Sequence, residues 1–135
     1  SEKRLTIENI HVAVGISIFY LTVLRLIYKT FNPTPKLNNS IFPGQKIIAK
    51  LNHVFLYISI LMITISGALK KLYNGEELDM FFFNLEIQDN FDLAEIFYEI
   101  HILGNYTLIA LISLHIFAVL IHKILFKENL LKRIL

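Results

Sequence analysis

The sequence predicts an all-α integral membrane protein, a bundle of three transmembrane helices in one domain spanning 1–135. Three observations carry that prediction. The 135 residues are 55% hydrophobic, more apolar than an ordinary soluble domain. The apolar residues are gathered into runs rather than spread at amphipathic spacing. Three runs, Asn9–Leu24, Leu51–Leu69 and Ile100–His122, hold no Asp, Glu, Lys or Arg. With its flanks, each is long enough to cross a hydrocarbon core of about 30 Å. The first run is too long for a signal peptide and lacks a small-residue cleavage site.

Composition also excludes function classes. The chain has no cysteine, which rules out disulfides, iron–sulfur clusters and thiolate ligation. It carries no Gly-rich phosphate loop, no nucleophile–base motif and no HExxH. The basic residues flank membrane helices and form no nucleic-acid stripe, so membrane lipid is an expected partner and nucleic acid is not. The broken helices and internal repeat of a small transporter are missing.

The first helix is expected over about 8–29, after a polar lead, SEKRLTIENI, whose Glu8 and Asn9 can cap it. His11 lies near its start, Gly15 one turn on, and Arg25 near its end. His11 and Arg25 are fourteen residues apart, which returns a side chain to within about 40° of the same face. Pro33, Pro35, Pro43 and Gly44 break the connection that follows. The second helix is expected over 47–72, with His53 near its start and Gly67 near its end.

The next connection, Lys70–Glu99, carries eight acids against two lysines, a net charge of −6. Its Met80–Phe83 stretch suits a membrane interface, where aromatic rings settle. Asp89, Asn90 or Asp92 is expected to start the third helix, over 92–125. The tail after His122 carries Lys123, Lys127, Lys132 and Arg133 against Glu128 alone. Between Arg25 and Lys50 there are five basic residues and no acid. With three spans, this basic connection and the basic tail fall on one side. The positive-inside rule makes that side cytoplasmic and puts the 70–99 loop outside, across a cell inner membrane.

The third span points to chemistry. His101 and His115 are fourteen residues apart inside it, so their imidazoles stack on one face about 21 Å apart. A lone intramembrane His is often just a polar group bonded to a neighbouring helix. A pair at this spacing suits two stacked cofactors. The first and third helices run in the same direction, so His11 and His101 fall at similar depth. Two neutral imidazoles facing each other across a bundle make a bis-His haem site. Gly15 and Gly104, just past these histidines, leave room for a porphyrin or for close helix packing. At the lower level His115 needs a second ligand, and the first helix offers Arg25 instead. That guanidinium cannot ligate iron, but it can pair with a haem propionate, polarise a quinone carbonyl, or snorkel to the interface. His53 and His122 lie towards the inner surface, where they can hold a propionate, shuttle protons to a quinone, or sit solvated.

Together these segments resemble the prokaryotic cytochrome b561 family of membrane di-haem proteins. The likeness rests on ENIHVAVGISIFYLTVLRLIYKTFNPTP, on LNHVFLYISILMITISGAL and on EIHILGNYTLIALISLHIFAVLIHKILFKENLLKRIL, in that order. Family members have four helices, and the three here resemble the second to fourth. The resemblance implies an outer haem b held by His11 and His101. It implies an inner haem held by His115 and a histidine of the family's first helix. Either a segment carrying that helix precedes Ser1, or the inner site is lost; with the chain as given, His53 is the substitute ligand. It further implies electron transfer between a quinone, ubiquinone among them, and a partner on the outer side. That partner is superoxide in a superoxide oxidase, or a basic redox protein that suits the acidic loop. The alternative is a non-catalytic anchor or cytochrome subunit of a dehydrogenase or hydrogenase complex.

Overall fold

The computed structural model describes residues 2–32 and 45–126. It contains α1 (Glu2–Phe31), α2 (Gln45–Tyr73), the short strands β1 (Leu78–Asp79) and β2 (Asn84–Leu85), and α3 (Phe91–Phe126). All three helices are long and apolar enough to cross a membrane. The Pro-rich connection 33–44 and the basic tail from 127 onwards lie outside the described residues.

The first helix begins six residues earlier than expected. Glu8 and Asn9 sit inside it rather than capping it. The lead is rich in good helix formers and has no Gly or Pro, and Glu2 places a negative charge at the positive end of the helix. Glu8 instead lies 3.7 Å from Arg4, one turn back.

The end of α2 and the start of α3 are tied together. Gly75 adopts φ +83°, with Glu76 N–H bonded to Lys71 O at 3.3 Å and Gly75 N–H to Leu72 O at 3.0 Å. This is the left-handed Schellman closure that glycine permits without a Cβ clash. Of the three candidates for the α3 start, Asn90 is the cap. Its side-chain Oδ1 accepts from Leu93 N–H at 3.2 Å, and its own N–H bonds Tyr73 O at 2.9 Å. Between the two helices, β1 and β2 pair antiparallel, Leu78 with Leu85 and Asp79 with Asn84. The hairpin folds onto the bundle through Leu78, which is 1% exposed and packs with Ile16 and Leu72. Tyr20 of α1 donates to Met80 O at 2.8 Å, and its ring meets those of Phe81 and Phe82.

Packing is inverted relative to a soluble bundle. Large apolar side chains such as Leu103, Tyr106, Ile109 and Phe117 are exposed, whereas Ser59, Ser66 and Thr22 are buried. In lipid the outer face needs no shielding, and small residues let helices approach closely. The antiparallel pair α2–α3 is the main contact of the molecule. Helix α1 leans on α2, and its backbone makes almost no direct approach to α3. At Gly104, α3 lies close against α2. A Cβ there would stand 2.8 Å from Ile63 Cγ1. Of the two expectations for Gly104, room for a porphyrin or close helix packing, this contact matches close packing.

Two outcomes follow. Leu78→Ala should lower the stability of the detergent-solubilised protein by about 2–5 kcal/mol in reversible denaturation. Gly104→Ala should destabilise it, and Ile63→Ala should relieve part of that loss, with a coupling of about 0.5–3 kcal/mol in a double-mutant cycle.

Candidate functional site

Histidines line two levels of the bundle. At the first level, His11 of α1 meets His101 of α3, with ring centroids 6.1 Å apart and planes at 87°. The rings bridge two helices whose backbones make almost no direct approach. Imidazole–metal bonds of about 2.0–2.1 Å each, with the rings behind them, place two centroids roughly 6–6.5 Å apart. The spacing of the pair would suit two imidazoles holding one metal between them.

The protonation of His101 is set by α2. Its Nδ1 lies 2.7 Å from the backbone oxygen of Ile63. A carbonyl only accepts, so Nδ1 carries the proton and Nε2 keeps its lone pair. That is the tautomer a metal-bound imidazole uses, with the second nitrogen held by a backbone acceptor. The ring lies against Gly67, where a Cβ would stand 2.8 Å from His101 Cε1 and 2.9 Å from Nδ1. On the opposite wall, a Cβ built on Gly15 meets nothing within 4 Å. Gly15 thus leaves open space one turn past His11. The donor set and the gap between α1 and α3 fit a haem.

At the second level, His53 of α2 meets His115 of α3, with centroids 5.4 Å apart. The Asn52 side-chain amide lies 3.0 Å from His115 Nδ1, and it can present either its NH₂ or its oxygen. Arg25 reaches α2 at this level. Its Nε donates to Tyr57 OH at 2.9 Å, one turn past His53 on α2. Lys29 Nζ lies 5.3 Å above the same ring. The α1 cation thus stands at the expected level but on α2, and His53 is the histidine beside His115. His122 is buried, at 6% exposure, which removes the solvated alternative for it.

Four contributors were not legible as site residues in the sequence: the Ile63 carbonyl, Gly67, Asn52 and Tyr57. A backbone carbonyl leaves no signature in a sequence. Gly67 does leave one, because it follows His53 by fourteen residues, the spacing of His101 and His115. In an antiparallel pair that register sets Gly67 opposite His101 once His53 stands opposite His115.

The chain has clear relatives. The family model described as prokaryotic cytochrome b561 matches residues 2–135. Cytochrome b561 homolog 2 of Escherichia coli (strain K12) is 26% identical over 130 residues, covering 94% of this chain and 69% of that protein. A Yersinia pestis protein named probable superoxide oxidase CybB is 28% identical over 130 residues, covering 95% of this chain and 74% of its own length. A match along nearly the whole chain, joined to three membrane-spanning helices, places this chain in the prokaryotic cytochrome b561 family of membrane electron-transfer proteins.

Proposed function

We propose that the chain holds haem b between His11 and His101 and passes single electrons between that haem and a quinone. The observation that carries this reading is the His11–His101 pair, bridging α1 and α3 with the proton of His101 fixed on Nδ1. Haem supplies one-electron redox chemistry; the protein sets its ligands and surroundings. His11 and His101 bind it as neutral imidazoles, which add no charge in a medium of low dielectric. The apolar faces of the spans exclude water from the site.

Quinone is handled at the second level. Asn52, His53 and His115 gather polar groups there in an otherwise apolar bundle, and an intramembrane polar group marks a functional site by default. An imidazole can pass a proton to a reduced quinone oxygen, and the Asn52 amide can bond a carbonyl. Arg25, held by Tyr57 one turn away, biases this level towards anionic species. His115 also stands as the ligand of a second haem, with His53 beside it in this chain. His122, two turns further along α3, extends the same polar line towards the inner surface.

Charge sets the orientation of the reading: the basic connection after α1 and the basic tail are cytoplasmic, and the acidic connection is outside. The outer reactant is superoxide or a redox protein. The name of the Yersinia pestis relative favours superoxide. The net charge of the acidic connection favours a basic protein, because it repels an anion. Lys71 Nζ lies 3.9 Å from Glu76, and Lys70 over Tyr98, so both lysines of this connection already have neighbours. A membrane cytochrome subunit that docks a dehydrogenase or hydrogenase is the second reading, favoured by the same acidic surface.

Substitution separates the parts. His11→Ala and His101→Ala should each lower the haem content of the purified protein by one equivalent, read from the reduced-minus-oxidised spectrum. Either variant retaining full haem content would overturn the assignment. Asn52→Leu should leave the His11–His101 haem intact and slow reduction by ubiquinol about tenfold or more, in proportion to the loss of a hydrogen bond at a reacting group.

A further inference from the structure

The turn of α2 beneath His101 does more than fill space. The Ile63 carbonyl accepts Nδ1–H of His101 at 2.7 Å and also the hydroxyl of Ser66 at 3.0 Å. In a regular α-helix the N–H of residue 67 is directed at the same oxygen. Three donors thus converge on an acceptor with two lone pairs. Ser66 is 3% exposed, so its hydroxyl has no water to turn to. Gly67 sets the neighbouring space: its bare Cα admits the imidazole, and a single methyl group there would meet two ring atoms below 3.0 Å.

We infer that the turn Ile63–Gly67 is a positioning device that sets the orientation and donor strength of the His101 imidazole. This rests on the reading of His101 as a haem ligand. The harder the carbonyl draws on Nδ1–H, the more electron density Nε2 offers a metal, and the more the oxidised form is favoured. The Ser66 hydroxyl competes for that carbonyl and weakens the draw. Gly67 keeps the ring where the carbonyl can reach it. Neither residue touches the haem; both act through His101.

Redox titration of the purified, haem-loaded protein tests this. Ser66→Ala removes the competitor and leaves no buried polar group behind. It should move the potential of the His11–His101 haem negative while haem content and the spectrum stay those of the wild type. Ser59→Ala, at another buried serine of α2, should leave the potential unchanged. Gly67→Ala crowds the ring and should weaken haem retention at that site by about 10–100-fold, the usual cost of disturbing an outer-shell partner. Gly67→Ala can fail to fold, and the Ser66→Ala titration then decides alone. An unchanged or positive-going potential in Ser66→Ala, in a protein that loses this haem on His101→Ala, overturns the inference and leaves the haem reading standing. A haem that survives His101→Ala overturns both.

Discussion

The contact between α2 and α3 governs where the histidines of these two helices, His53, His101, His115 and His122, can stand. Gly104 lets Ile63 approach to a distance that any side chain would block, and Gly67 does the same for the ring of His101. Between these two glycines and the lower His53–His115 pair, the antiparallel helices hold one register. Slipping that register by a single residue would rotate α3 by about 100° against its neighbour and carry both imidazoles off the shared face. The small residues therefore help set where the imidazoles stand, although neither carries a donor group.

Helix α1 plays a different part. It leans on α2, is fastened at one end through Arg25 and Tyr57, and is fastened on its flank through Tyr20 and the hairpin. It barely meets α3 except through His11 and His101. A gap bridged by two imidazoles is costly to leave empty in lipid, because packing contacts are forfeited along its length. A flat apolar macrocycle fills such a gap. The Nδ1–H of His101 has its polar partner in the Ile63 backbone.

Much of this was legible in the sequence because membranes simplify the code. Charge-free runs gave the three spans, and fourteen-residue spacing gave the stacked levels on α3. The His11–His101 pairing followed from the shared direction of the first and third helices. What escaped had local causes. The lead before His11 is polar yet made of helix formers, so α1 starts at Glu2 and not at a cap. Gly104 follows His101 by three residues and left room for a ring and close packing both open; that step turns it towards α2. Arg25 shares a depth with His115, and sequence spacing along one helix says nothing of which neighbour its long side chain will choose.

The proposed haem site rests on one iron held between the imidazoles of α1 and α3. The electron paramagnetic resonance spectrum of the oxidised, haem-loaded protein measures this directly. Two nitrogen ligands on one axis predict a low-spin ferric signal that accounts for the His11–His101 haem. A high-spin ferric signal from that haem, which means an open or weakly held axial position, would contradict it.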